Sequence, residues 1–221
     1  MTTAVSWREA PEGDFGVIGF PVNHSLSPRM HQAAYDALGL PYSYSAVEVP
    51  PGEVVEALDR LRSIGYRGIN VTVPHKEEAL SWSEQEEPFA ARVRAANTLR
   101  LGDRSCINTD APGFLDTLLD LPVSSKSVLV LGAGGSARAV VTALAQEGWE
   151  IRIYNRTQSK ALELADSVGA AAVESPDPAG SSVILNTTSA SLGGEEIPIA
   201  WDRASTGAVA YDLMYSREST P

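Results

Sequence analysis

The string V-L-V-L-G-A-G-G-S-A-R-A is where chemistry is most legible in this sequence. Gly132, Gly134 and Ala137 stand in G-x-G-x-x-A spacing, directly after a run of β-type apolar residues and at the start of a helical one. There the first glycine permits a tight turn, the second lets a pyrophosphate approach the backbone, and the alanine allows close helix–strand packing. Amide hydrogens of the helix N-terminus then face the anion. Gly132, Ala133, Gly134, Gly135, Ser136 and Ala137 are therefore expected to bind a dinucleotide; the competing reading is a glycine-rich turn with no ligand. A site for NAD usually carries an acidic residue about 20 positions further on, where it accepts bonds from the ribose hydroxyls. Asn155, Arg156 and Thr157 stand there instead, followed by Lys160. A guanidinium at that point can pair with a 2′-phosphate through charge-assisted hydrogen bonds. NADP(H) is favoured as cofactor, with Asn155, Arg156, Thr157 and Lys160 in its site; the alternative is that the two bases merely solvate a helix start.

Other chemistry is excluded by spacing and composition. His24, His31 and His75 include no i, i+4 pair with a glutamate, so no metal site is expected. His24 and His75 either line a cleft or steady a turn, and the acidic run 84–87 reads as a solvated face. Cys106 is the only cysteine, which rules out an intrachain disulfide and suggests an inert thiol. Against 28 acidic residues stand 17 basic ones, a formal net charge of -11 that repels phosphate backbones and anionic lipid at long range. Neither nucleic acid nor membrane is an expected partner, whereas a small anionic substrate can be held by local bases and helix N-termini. The first residues carry charge where a signal peptide needs an apolar run, and no uncharged apolar stretch of about 18 residues occurs, so a cytoplasmic location is expected.

The elements that must position these residues alternate between short β-type runs and longer helical ones, which indicates an α/β fold. A first block reads as strands at 15–20, 42–47, 68–73, 98–101 and 105–108. Its helices fall at 28–38, capped by Ser27 and closed by Gly39, and at 53–64, with Val54, Val55, Leu58 and Leu61 on one face. A polar stretch from 76 to 93 is expected to be helical, and the block ends near residue 110. A bridging helix at 111–121 carries Phe114, Leu115, Leu118 and Leu119 at helical spacing. The second block reads as strands at 127–131, 150–154, 183–186 and 209–212 with helices at 136–146 and 158–168, the rhythm of a parallel doubly wound sheet.

In the first block stand, in order, G-F-P-V-N-H-S-L-S-P-R-M-H, N-V-T-V-P-H-K, A-N-T-L and I-N-T-D-A-P-G-F. With G-A-G-G-S-A-R-A, N-R-T, N-T-T-S and Y-D-L-M-Y in the second, these strings closely resemble the shikimate dehydrogenase family over residues 15–221. The resemblance implies NADPH-dependent, reversible reduction of 3-dehydroshikimate to shikimate by a monomer or homodimer. It implies a substrate-binding and catalytic domain at 1–110, a linking helix at 111–121 and a Rossmann-type NADP-binding domain at 122–221. It assigns Ser25 and Ser27 to the substrate carboxylate and Thr72, Asn97 and Asp110 to its hydroxyls, with Tyr215 also facing substrate and Leu213 the nicotinamide. Read alone, H-S-L-S-P is better explained by a turn and a cap without any ligand; the ordered company of the other strings reverses that. Lys76 is the foremost catalytic candidate, since reducing a ketone requires a proton for the nascent alkoxide while hydride arrives from the cofactor. Asp110 would favour the charged lysine and titrate with it as a unit. In isolation, an ordinary surface lysine and an N-capping aspartate explain the same two residues.

The chain departs from the family pattern at Gln32, Ala95 and Ser136, none of which removes a group the chemistry needs. Family members also continue past T-P for several elements, among them a helix that donates a glutamine to the substrate, so this sequence is expected to lack that segment. A quinate or quinate/shikimate dehydrogenase would tend to replace the second serine or the N-R-T arginine; Ser27 and Arg156 disfavour it. A non-catalytic nucleotide-binding module is the other reading, disfavoured by Lys76 and Asp110.

Overall fold

The computed structural model describes residues 4–188, 190 and 197–214. The chain divides into two compact units between Thr109 and Asp110.

The first unit runs β1 (Val5–Ser6), β2 (Phe15–Gly19), α1 (Ser27–Leu38), β3 (Tyr44–Glu48), α2 (Val54–Ser63), β4 (Gly68–Val71), α3 (Lys76–Trp82), β5 (Gln85–Glu86), α4 (Pro88–Val93), β6 (Thr98–Arg100) and β7 (Ser105–Ile107). Its seven-stranded sheet has the order β1-β3-β2-β4-β6-β7-β5. The strands β1, β3, β2 and β4 are parallel, while β6 runs antiparallel to both β4 and β7. Alternation along the strands sorts the core into two faces. Ile18, Val47, Ile69, Val71 and Leu99 pack with Val54, Leu58, Leu61, Ala79, Trp82 and Ala90 from α2, α3 and α4. Val17, Tyr44 and Ala46 lie on the opposite face with Tyr35 of α1. Because β2 sends its connection to β3 on one side and β4 lies on its other, the connecting helices fall on opposite faces, which makes the carboxyl ends of these strands a topological switch point of the kind at which α/β sheets bind ligands.

Three expectations are corrected here. On α2, Val55 is 46% exposed and Ala57 is fully buried instead, because successive residues turn 100° and carry Val55 off the stripe of Val54, Leu58 and Leu61. The stretch 76–93 is two helices, not one. Ser83 is extended, Gln85 and Glu86 pair with β7, and α4 restarts at Pro88 with the Glu87 carboxylate accepting from the amides of Phe89 and Ala90, each at 3.0 Å. The acidic run is exposed at 84–86, as a solvated face requires, with Glu84 paired to Arg104 at 2.9 Å and half-buried Glu87 serving as the helix cap. Finally, Ser27 does not cap α1. Leu26 is the cap position, without a side-chain bond, and Ser27 is the first helical residue, although Gly39 closes the helix in left-handed conformation as expected.

The second unit runs α5 (Asp110–Leu119), β8 (Ser127–Leu131), α6 (Gly135–Gln146), β9 (Glu150–Tyr154), α7 (Gln158–Val168), β10 (Ala171–Ala172), β11 (Val183–Asn186) and β12 (Val209–Asp212). Its five strands are all parallel, in the order β10-β9-β8-β11-β12. Near-continuous apolar strands such as S-V-L-V-L suit a sheet covered on both sides. Phe114 and Leu118 of α5 join Val140 and Leu144 of α6 and Leu164 of α7 on one face. Leu129, Leu131 and Ile184 face the other way, toward Ile197, Ile199 and Ala208.

Candidate active site

The expected substrate residues of the first unit collect on one edge of its sheet, and the topology explains why. Strands β2 and β4 end there, antiparallel β6 begins there, and β7 ends there, so the loop after β2, the turn after β4, Asn97 before β6 and Thr109 after β7 are brought together. Backbone bonds lace these segments: Phe20 N–H donates to the Val73 carbonyl at 3.1 Å, Thr72 to Ile18 at 2.9 Å, Val71 to Asn97 at 2.8 Å and Ala96 to Lys76 at 2.9 Å. Gly19 is required by this closeness, since a side-chain carbon on it would run into the Thr72 methyl. Ser25 and Ser27 are half-buried on the first loop, where the Ser27 amide donates to the Ser25 hydroxyl at 3.3 Å. Among the described residues the hydroxyls of Ser27 and Thr72 have no hydrogen-bond partner, which leaves both able to meet a ligand oxygen.

Lys76 is the first residue of α3, directly after the turn that follows β4. Its helix is anchored by Ala79 and Trp82, 0% and 1% exposed, with the Trp82 indole donating to Asp59 at 2.8 Å. The preceding His75 is fully buried, its Nε2 lying 2.7 Å from the Val49 carbonyl. That contact makes Nε2 the protonated nitrogen and leaves the buried, unpartnered Nδ1 as a bare lone pair. Burial pushes the His75 pKa down, with the Val49 bond and the Glu78 carboxylate opposing. Of the two sequence readings for His75, this is the turn-stabilising one, while His24 is exposed. Asn97 is held from across the β6–β7 hairpin: its Oδ1 accepts from Thr109 N–H and its Nδ2 donates to Thr109 Oγ1, both at 3.0 Å. Buried Asn108 braces the same corner by donating to the Ala95 carbonyl at 3.0 Å. Asp110, next in sequence, heads α5 and belongs to the second unit.

In the second unit the glycine-rich string is the turn from β8 into α6. Gly132 has φ 115, its amide donates to the Tyr154 carbonyl at 2.8 Å, and a side-chain carbon there would overlap the Thr187 hydroxyl. That hydroxyl is itself fixed, donating to the Leu131 carbonyl at 2.8 Å. Gly134 caps α6 without a side chain, and among the described residues no other part of the chain comes within 4 Å of where a side-chain carbon would sit on Gly134 or Gly135. No acidic residue occupies the first turn, and Ala137 is fully buried against the sheet. The first amides of α6 are thus uncapped by any described side chain, which suits a pyrophosphate. At the end of neighbouring β9, Asn155 Nδ2 donates to the Thr157 carbonyl at 2.9 Å, and Arg156, Thr157 and Lys160 are exposed. Leu213 follows β12, half-buried, its amide donating to Asn186 at 3.0 Å. Tyr215 lies outside the described residues.

Sequence reasoning passed over Thr187, Asn70, Thr98 and Thr109. All four lie inside strings already singled out, and for Asn70 a signal existed. An amide at Asn70 between Ile69 and Val71 is a polar group on a strand whose neighbours are buried, and such a group needs partners.

Two family models match the chain: the shikimate dehydrogenase substrate binding domain over residues 17–99, and shikimate / quinate 5-dehydrogenase over residues 117–178. The chain is 41% identical over 218 residues to the shikimate dehydrogenase (NADP(+)) of Methanocella arvoryzae, covering 94% of this chain and 81% of that one. It is similar to the crystal structure of shikimate 5-dehydrogenase from Thermus thermophilus in complex with NADP(H) and shikimate, with a TM-score of 0.82 and 38% identity over 90% of this chain and 78% of that one. The shikimate dehydrogenase structure from Aquifex aeolicus gives a TM-score of 0.85 and 38% identity, covering 97% and 80%.

Proposed function

The chain belongs to the shikimate dehydrogenase family, and from that premise we propose that it catalyses the reversible NADPH-dependent reduction of 3-dehydroshikimate to shikimate. What supports this most directly is the gathering of Ser25, Ser27, Thr72, Lys76 and Asn97 on one sheet edge in a chain 41% identical to a relative of that name. In this reading residues 1–110 bind substrate, 111–121 link, and 122–221 bind the nucleotide. Ser25 and Ser27 hold the carboxylate, while Thr72, Asn97 and Asp110 hold hydroxyls, with Tyr215 also on the substrate side. The turn Gly132–Ala137 holds the pyrophosphate, Arg156 and Lys160 neutralise the 2′-phosphate beside Asn155 and Thr157, and Leu213 packs on the nicotinamide.

When bound, the nicotinamide supplies a hydride to the substrate's carbonyl carbon. The Lys76 ammonium stabilises negative charge growing on the carbonyl oxygen and delivers one proton to it, so that the ketone becomes an alcohol and the lysine is left neutral until solvent returns the proton. Asp110 is the other residue given a catalytic part in this reading. In reverse, the neutral amine accepts the hydroxyl proton. In this reading the enzyme is cytoplasmic and acts as a monomer or homodimer; among the described residues no helix is long and apolar enough to cross a membrane.

The test is a spectrophotometric assay of NADPH consumption with 3-dehydroshikimate, with quinate and NAD as comparisons. The native chain is expected to turn over 3-dehydroshikimate with NADPH and to prefer shikimate to quinate. Lys76→Ala is expected to lower kcat by roughly 10²–10⁴, the usual worth of a positioned proton donor, with an unchanged melting temperature. Binding of NADPH without any turnover by the native chain would instead identify a nucleotide-binding module.

A further inference from the structure

We propose that Tyr44 is a positioning residue for Asn97, setting the orientation of its amide through a one-way chain of hydrogen bonds that crosses the first sheet by way of Asn70 and Thr98. The inference deepens the substrate reading above and rests on it for its kinetic consequence.

The chain of bonds starts from a group whose role is not negotiable. The Thr109 backbone N–H can only donate, so the Asn97 atom 3.0 Å from it is the oxygen, Oδ1. The Thr98 hydroxyl, 3.1 Å from the same oxygen, must then donate to it. Its lone pair is thereby left for Asn70 Nδ2, also at 3.1 Å. With its nitrogen committed, Asn70 presents Oδ1 to the Tyr44 hydroxyl, which donates at 2.6 Å. Every proton in the series Tyr44, Asn70, Thr98, Asn97 therefore points the same way, and each bond fixes the next amide or hydroxyl.

The sheet makes this arrangement possible. Asn70 and Thr98 are direct cross-strand partners in the antiparallel β4–β6 pair. They alternate with Ile69, Val71 and Leu99, so they fall on the same face as Tyr44 and α1. Tyr44 sits on β3, in register with Phe15, and its ring reaches across β2, where Val17 is the partner of Asn70. The ring is held in place: it is 7% exposed and stacks on His31 of α1, with centroids 4.2 Å apart and planes 6° from parallel. The helix that begins at Ser27 is thus tied mechanically to Asn97 on the far side of the edge.

Orientation matters because an amide offers a donor on one side and an acceptor on the other. Without the Tyr44 hydroxyl, only the long 3.5 Å bond from Asn70 Nδ2 to the Asn97 carbonyl still opposes turning the Asn70 amide over to place its oxygen on Thr98. The Thr98 hydroxyl would then donate to Asn70, and Asn97 Oδ1 would lose one of the bonds that hold it.

Tyr44→Phe removes only the hydroxyl, and it is expected to raise KM for 3-dehydroshikimate roughly three- to tenfold, the net worth of about one hydrogen bond, with a smaller change in kcat and none in KM for NADPH. Thr98→Val should reproduce the loss and Thr98→Ser should rescue it. In an Asn97→Ala background, Tyr44→Phe should cost less than about twofold, since coupled residues are not additive. An equal loss in both backgrounds, or no loss at all, would overturn the proposal. A second readout needs no substrate. The side-chain amide signals of Asn97, identified by their disappearance in Asn97→Ala, should shift and broaden in the nitrogen-15 spectrum of Tyr44→Phe. Unchanged Asn97 signals would sink the positioning role whatever the enzyme reduces, whereas shifted signals in a chain inactive toward 3-dehydroshikimate would sink the substrate reading alone.

Discussion

Arg156 shows how a single residue can carry cofactor choice. It is exposed, and among the described residues it has no ion-pair partner, so its guanidinium is not committed to the fold. Lys160, one helical turn further on, is exposed in the same way. Charge-assisted bonds to a phosphate are each worth about 1.5–3 kcal/mol, so Arg156→Ala is expected to weaken NADPH roughly 10- to 100-fold. NADH binding should change little, because it lacks the 2′-phosphate. Titrating both nucleotides by fluorescence checks this, and equal losses would remove Arg156 from its assigned place. The arginine was legible in sequence because its position after a strand is itself diagnostic. Tyr44 was not, because its relevance depends on which strand lies two places away in the sheet.

At the scale of elements, two junctions hold the functional segments. The β8–α6 turn depends on Gly132, whose φ of 115 and close approach to Thr187 both disfavour a side chain. Gly132→Ala is expected to destabilise the nucleotide-free chain by about 2–4 kcal/mol, adding positive-φ strain to local overpacking, and calorimetry of the apo protein measures it. The other junction is the restart of α4. Glu87 satisfies the amides of Phe89 and Ala90, so Glu87→Ala should cost about 1 kcal/mol of thermal stability, while Glu87→Gln keeps an acceptor and should lose less. Most element positions followed from apolar periodicity. The break at Ser83 did not, because Gln85 and Glu86 are strand residues only by virtue of β7 beside them, and no local propensity announces a pairing partner. The misplaced cap at Ser27 has a similar origin, since the turn before α1 follows from the bond between the Ser27 amide and the Ser25 hydroxyl.

At the scale of the molecule, the histidines are unevenly distributed: His24, His31 and His75 all lie in the first unit. Burial lowers the pKa of His31 and of His75 below the ordinary 6.5. A histidine depressed in this way binds fewer protons folded than unfolded, so its contribution to stability is complete above about pH 6.5 and is lost as pH falls toward the folded-state value. Acidification from pH 7.5 to 5.5 should therefore lower the melting temperature of the first unit, before carboxylates begin to titrate. His75→Gln retains a donor for the Val49 carbonyl and cannot ionise. Its melting temperature should fall less over the same interval, and an undiminished fall would exonerate His75.

The sequence alone determined which residues carry functional groups and how they are spaced along the chain: the glycines of the β8–α6 turn, the bases after β9, and the serines, threonine, lysine and asparagine of the first unit. It also determined the α/β rhythm, since a period of two or of 3.6 is written into the order of apolar residues. Only the tertiary structure decided that Ser25, Thr72, Lys76, Asn97 and Thr109 share one edge, and that a tyrosine on β3 governs an asparagine before β6. The reason is physical. Periodicity is a local property that each segment expresses by itself, whereas strand order arises from the competition of all segments for partners, and residues far apart in sequence meet only once that competition is resolved.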